Sequence, residues 1–166
     1  VSDGYTWVGL SNREEYIFRG PLLNDKYDRY YRFGNGRPTY NTLDRIRDGL
    51  PWLWLGIPQP TTAPTISSAG GTGEVQTRFY VYTFVSAYGE EGPPSDPGTA
   101  DGASDGAWQV DGMDTTVPDA GVRNIDRKRI YRTVSGFSET EFFFVAEIPL
   151  TDATYSDTDA DDVVVR

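Results

Sequence analysis

Arg78-Phe79-Tyr80-Val81-Tyr82-Thr83-Phe84-Val85-Ser86-Ala87 is the stretch whose reading decides the fold. It is filled with β-branched and aromatic residues, and both of its alternating faces are apolar or aromatic. That pattern predicts a strand buried on both sides or lying at an interface. Downstream, Glu141 to Ile148 is a second apolar strand, and Arg127 to Thr133 alternates, with Ile130 on one face and Tyr131 on the other. Val134-Ser135-Gly136-Phe137-Ser138 between them predicts an antiparallel hairpin. Ala107 to Val110 and Thr154-Tyr155 read as shorter strands, and Gly89 to Ser95 as a loop. Residues 61–166 are therefore expected to form an antiparallel β-sandwich.

Upstream the character changes. Tyr5-Thr6-Trp7-Val8, Glu15-Tyr16-Ile17-Phe18 and Tyr27 to Phe33 read as short strands, and Phe33 to Pro38 as a turn built on Asn35-Gly36. Asn41 or Thr42 is placed to cap one short helix, Leu43 to Asp48, closed by Gly49. Leu50 to Pro60 is expected to run as an extended connector, because its prolines oppose helix and interrupt strands. Its apolar side chains need cover, so Trp52 and Trp54 are expected to pack on the following domain or on a partner chain. Residues 1–60 thus read as an Arg- and aromatic-rich extension, or small β subdomain, ahead of the sandwich.

Charge supports that division. Val1 to Pro60 has eight Lys+Arg against seven Asp+Glu, net +1, whereas Thr61 to Arg166 has seven against eighteen, net −11. The overall charge of −10 opposes nucleic-acid binding, which needs a cationic footprint. No run approaches the ~20 apolar residues that span a bilayer, and Val1-Ser2-Asp3-Gly4 lacks the basic start of a signal peptide. The chain has no Cys and no His. Disulfides, thiolate ligands, the commonest general base and the usual zinc ligand are absent with them. Gly70-Gly71-Thr72-Gly73 lacks the Lys-Ser/Thr of a phosphate loop.

Two groups of carboxylates need weighing. Asp157-Thr158-Asp159-Ala160-Asp161-Asp162 opens like a calcium loop, but the sixth position is Asp rather than Gly and the chain has no twelfth position. A solvated turn is expected there. Glu90-Glu91 are neighbours on a loop, whereas glycosidase carboxylates face each other across a substrate; a solvated turn is expected there too. No enzyme activity, metal or cofactor is expected.

The motifs resemble a known family. Arg129-Ile130-Tyr131-Arg132-Thr133, a short turn, Phe143-Phe144-Val145-Ala146 and then Ala153 to Thr158 are similar to the middle strands of a fibronectin type III domain. Tyr80 to Ser95 resembles that family's late strand and following loop. In the family the "IYR" element precedes the "YxYxVxA" element, and here it follows. The order leaves two readings, a permuted sandwich or a purely local likeness. Leu55-Gly56-Ile57-Pro58-Gln59-Pro60, Ala63-Pro64-Thr65 and Arg78 to Ser95 together also resemble structural proteins of tailed-bacteriophage virions.

The resemblance implies an all-β, fibronectin type III/immunoglobulin-like antiparallel sandwich with an N-terminal extension. It implies assembly through subunit contacts in a tail, neck or fibre-associated part of a virion assembled in the host cytoplasm. The expected partners are other virion structural proteins and further copies of this chain in a symmetric assembly, with neither nucleic acid nor membrane. The expected contact residues are Trp52, Trp54, Ile57, Tyr27, Tyr30, Tyr31, Phe33, Arg29 and Arg32, since Trp, Tyr and Arg are enriched where proteins meet. The arginines of the first 60 residues, Arg13, Arg19, Arg29, Arg32, Arg37, Arg45 and Arg47, are expected in salt bridges within the fold or to a neighbouring subunit rather than on DNA or an acidic partner surface. The alternative is a receptor- or carbohydrate-binding module at a tail tip, with Trp7, Trp52 and Trp54 as stacking platforms.

Overall fold

A computed structural model describes residues 7–134 and 141–164. The chain divides into two compact units, Val1–Gly56 with Gly121–Asn124, and Ile57–Ala120 with Ile125–Arg166. The division falls after Gly56, and a short later segment joins the first unit.

The first unit is a four-stranded antiparallel sheet in the order β1-β2-β3-β4: β1 (Tyr16–Arg19), β2 (Arg29–Phe33), β3 (Thr39–Thr42) and β4 (Leu53–Trp54). Helix α1 (Leu43–Arg47) lies between β3 and β4. The Thr42 hydroxyl caps it by accepting the Arg45 N–H, and Gly49 closes it at φ +67°. The expected connector Leu50 to Pro60 is corrected in part. Pro51 and Pro58 leave the N–H groups of Leu53 and Trp54 free, and these residues pair with Tyr40 and Thr39. Of the expected strand Tyr5 to Val8, Tyr5 and Thr6 lie outside the described residues, and Trp7 and Val8 are in no strand.

The second unit is an antiparallel β-sandwich of seven strands: β5 (Thr65–Ala69), β6 (Val75–Ser86), β7 (Gly98–Ala103), β8 (Ala107–Asp111), β9 (Ile125–Thr133), β10 (Phe142–Pro149) and β11 (Tyr155–Asp157). One sheet has the order β10-β9-β6-β7 and the other β11-β8-β5. A last helical turn, α2 (Asp161–Val164), follows. β9 and β10 pair antiparallel as expected, while the turn residues Ser135 to Ser138 lie outside the described residues. Alternation along β6 sends Tyr80, Tyr82 and Phe84 into the core, where they meet Trp108 and Val110 of β8 and Ile130 of β9. All six are essentially inaccessible. The Tyr82 hydroxyl donates to the Thr62 carbonyl and accepts the Asp114 N–H, so the polar tip of a core residue fastens two loops.

β5 and β7 carry no strand signal in the sequence. Thr65-Ile66-Ser67-Ser68-Ala69 and Gly98-Thr99-Ala100-Asp101-Gly102-Ala103 are too small and polar to signal one. Their composition answers close approach instead. A Cβ on Gly98 would stand 1.9 Å from the Pro64 carbonyl oxygen, and one on Gly102 would stand 2.2 Å from Ser68 Oγ.

Candidate interaction surface

In the first unit, register puts Arg32, Thr39 and Trp54 in one cross-strand row, because Arg32 pairs with Thr39 and Thr39 with Trp54. The buried Glu15 anchors this row from one side. It accepts Arg32 at 2.6 Å and the Ser11 hydroxyl at 2.8 Å. Burial alone would raise the Glu15 pKa, but the hydrogen bonds from Ser11 and Arg32 prevail and hold it at about 2. The Arg32 guanidinium then lies 5.7 Å from the Trp52 ring centroid. The β2–β3 turn uses Gly34 at φ +90° and Gly36 at φ +76°, and a side chain on Gly34 would collide with the Glu14 carbonyl. This turn delivers Arg37 to within 4.5 Å of the Trp54 ring centroid. Arg123 approaches the same ring at 5.5 Å and donates to the Gly56 carbonyl at 2.6 Å. Arg32, Asn35, Arg37, Thr39 and Trp52 line a small cavity of about 100 Å³.

The opposite face of the sheet is aromatic. Phe18 stacks on Phe33 at 5.4 Å between centroids and meets Tyr31 at 6.0 Å, while Tyr31 meets Tyr40 at 6.5 Å. Tyr16, Phe18, Leu22 and Leu23 are exposed, Leu23 to 91%.

The expected contact residues are therefore distributed over several places. Trp52, Trp54, Arg32 and Tyr30 share one side of the sheet, and Tyr31 and Phe33 the other. Tyr27 belongs to the β1–β2 connection, and Arg29 opens β2 on the same side as Tyr31 and Phe33. There Arg29 donates to Asp25 at 2.8 Å and stands over the Tyr27 ring, and this hydrogen bond holds the Asp25 carboxyl below its ordinary pKa. Ile57 belongs to the second unit, half-buried against the sandwich core and Gly92. The arginine expectation holds for Arg19 with Asp28, Arg29 with Asp25, Arg32 with Glu15 and Arg47 with Asp44. Arg37 has no carboxylate partner among the described residues and rests on the Trp54 ring. Arg123 was not anticipated; its position next to Trp54 has no local sequence signal.

The acidic end of the sandwich is not the solvated turn expected of it. Asp157 is fully buried with Arg132, and Arg78 and Arg132 both reach Asp161. Tyr80 donates to Asp157 at 2.7 Å. The arginines were needed because a buried carboxylate without a partner is strongly disfavoured. Ser104, Asp105, Gly106, Thr158, Asp159, Ala160 and Asp161 line a depression of about 490 Å³ above this network. Among the described residues no three acidic side chains are grouped as a metal site requires.

Glu91 is exposed, as expected of that turn, and is anchored as well. It accepts the hydroxyls of Thr83 and Tyr131 and pairs with Arg129 at 2.6 Å. Burial would raise its pKa; the three donors outweigh that and lower it. Glu147 bridges Arg127 and Arg129 alongside and is lowered by them.

No protein family matches the chain, and no curated protein is significantly similar to it. Among the described residues no helix is long and apolar enough to cross a membrane.

Proposed function

We propose that the protein is a non-enzymatic structural component of a tailed-phage virion, working through contacts made by its first unit. The observation that carries the assembly reading is the surface of that unit. Tyr16 and Phe18 are exposed on the aromatic face, Leu22 and Leu23 are exposed in the β1–β2 connection, and arginine–tryptophan pairs occupy the face opposite the aromatic one. Clustered exposed apolar side chains favour an interaction site, and Trp, Tyr and Arg are the side chains that anchor such sites. The virion assignment rests on the resemblance of Leu55 to Ser95 to phage structural proteins. A permuted fibronectin type III-like sandwich accompanies it. In its support, the seven strands divide four and three, a division known in immunoglobulin-like domains. The "IYR" strand β9 also lies directly beside β6, although it follows β6 in the chain.

The carbohydrate reading draws less support. The Trp52 and Trp54 rings carry guanidinium partners, so a sugar would have to compete with Arg32, Arg37 and Arg123 for them.

Quantitative mass spectrometry of purified particles of a tailed phage that encodes this chain tests the proposal. The expected result is a fixed copy number per particle. Recovery of the chain only from the particle-free fraction of the lysate would refute it.

A further inference from the structure

The two units carry opposite charge. The first has nine Lys+Arg against seven Asp+Glu, net +2, and the sandwich has six against eighteen, net −12. Within the first unit, Arg37 is an exposed cation held on Trp54 with no carboxylate partner among the described residues. Asn35 and Thr39 stand beside it around the cavity of about 100 Å³, room for a carboxylate group but little more. A guanidinium stacked on an aromatic face keeps its donors in a fixed fork, the arrangement that recognises carboxylates. Within the sandwich, the depression at Asp105, Asp159 and Asp161 is concave and acidic. Asp161 is neutralised by Arg78 and Arg132, whereas Asp105 is held by the N–H and hydroxyl of Thr72, the N–H of Gly73 and its own N–H, with no cation among the described residues.

We infer that the Arg37–Trp54 face of one copy docks on the Asp105–Asp159 depression of a second copy. The inference rests on the assembly reading above and names the partner. The docking surfaces differ, so the contact is head-to-tail, and repetition builds a ring or a filament according to whether the rotation closes. Charge complementarity sets the direction of docking and makes it sensitive to salt. Nucleic acid fits the same arginines less well, since the chain as a whole would repel it.

Sedimentation velocity over a concentration series reads the contact. The full chain is expected to self-associate at low salt and to dissociate as NaCl rises. Arg37→Glu, and separately the double variant Asp105→Arg/Asp159→Arg, should each weaken association by roughly tenfold or more. An equimolar mixture of the two variants should associate again, because reversed head meets reversed tail and unchanged head meets unchanged tail. Thermal melts establish that each variant is folded, and Asp159→Arg alone replaces the double variant if loss of the Asp105 turn contacts unfolds it. The inference is overturned if Arg37→Glu associates like the unmodified chain or if the mixture stays monomeric. It is overturned too if the unmodified chain is monomeric throughout, which leaves the virion reading to contacts with other proteins. Duplex DNA retained by the unmodified chain and lost with Arg37→Glu, without self-association, would assign the face to nucleic acid and overturn it as well.

Discussion

The Arg132 guanidinium lies 2.8 Å from the Asp157 carboxylate, with both side chains wholly excluded from solvent. The Nε contact is electrostatic in character, since its geometry makes no hydrogen bond. Tyr80 and the Asp159 backbone N–H complete the shell around the carboxylate. Without Arg132 the buried Asp157 charge keeps only the Tyr80 hydroxyl and the Asp159 N–H, which costs several kcal/mol, whereas without Asp157 the guanidinium still holds Asp161 and the Asp159 carbonyl. Arg132→Met should therefore destabilise the sandwich by about 3–5 kcal/mol, and Asp157→Ala by less, because Arg132 keeps Asp161. The double variant Arg132→Met/Asp157→Leu should lose much less than the sum of its single changes. Urea unfolding followed by Trp108 fluorescence checks both expectations.

This pair also marks where the sequence stops being informative. β6, β9 and β10 are legible because large β-branched and aromatic residues alternate along them. β5 and β7 are not, because the closeness of their backbones admits only Gly98 and Gly102, residues that by themselves disfavour strands. Asp157 sits in an acidic run that looks solvated, and its cation comes from β9, twenty-five residues earlier in the chain. Trp52 and Trp54 stand out in the sequence as aromatic residues of a proline-spaced segment, and the Phe33 to Pro38 turn is recognisable as a turn. That the turn carries its arginine onto Trp54 depends on the pairing of β3 with β4, a non-local fact.

The Glu15–Arg32 pair gives the first unit an acid limit. Glu15 has a folded-state pKa of about 2 against an ordinary 4.5. A depressed carboxyl contributes stability that is fully present above 4.5 and is lost as pH falls toward 2. Trp52 reports on it, because Arg32 lies over its ring. Tryptophan fluorescence in acid titration should show a transition in that window, and Glu15→Gln should reduce the pH dependence to the part contributed by Asp25 while lowering stability at neutral pH.

Lys128 has the opposite sign. It is fully buried, and its ammonium donates to the backbone carbonyls of Asp114 and Asp152. Burial lowers its pKa from 10.5 to about 8, against the pull of Asp152 and Asp114. The unfolded chain then holds the extra proton between those values, so stability should rise with pH from about 8. Above about 10 the raised pKa values of Tyr80, Tyr82 and Tyr131 act in the other direction, because the unfolded chain ionises first. Lys128→Met should remove the rise and, by orphaning two carbonyls, lower stability by about 1–3 kcal/mol. Urea midpoints at pH 8 and pH 10 separate the two effects.

Gly98 tests how closely the backbones of the sandwich approach. A methyl group there would overlap the Pro64 carbonyl oxygen at 1.9 Å and its carbon at 2.9 Å, and both are backbone atoms that cannot rotate away. Gly121 has nothing within 4 Å of the equivalent point and no positive φ. Gly98→Ala should therefore force Pro64 and β7 apart, costing about 3 kcal/mol, the upper range for overpacking. Gly121→Ala should lie within about 0.5 kcal/mol of the unmodified chain, as expected for a surface change that touches nothing. Thermal melts of the two variants decide the matter, and equal melting temperatures would show that the strands are not held at this separation.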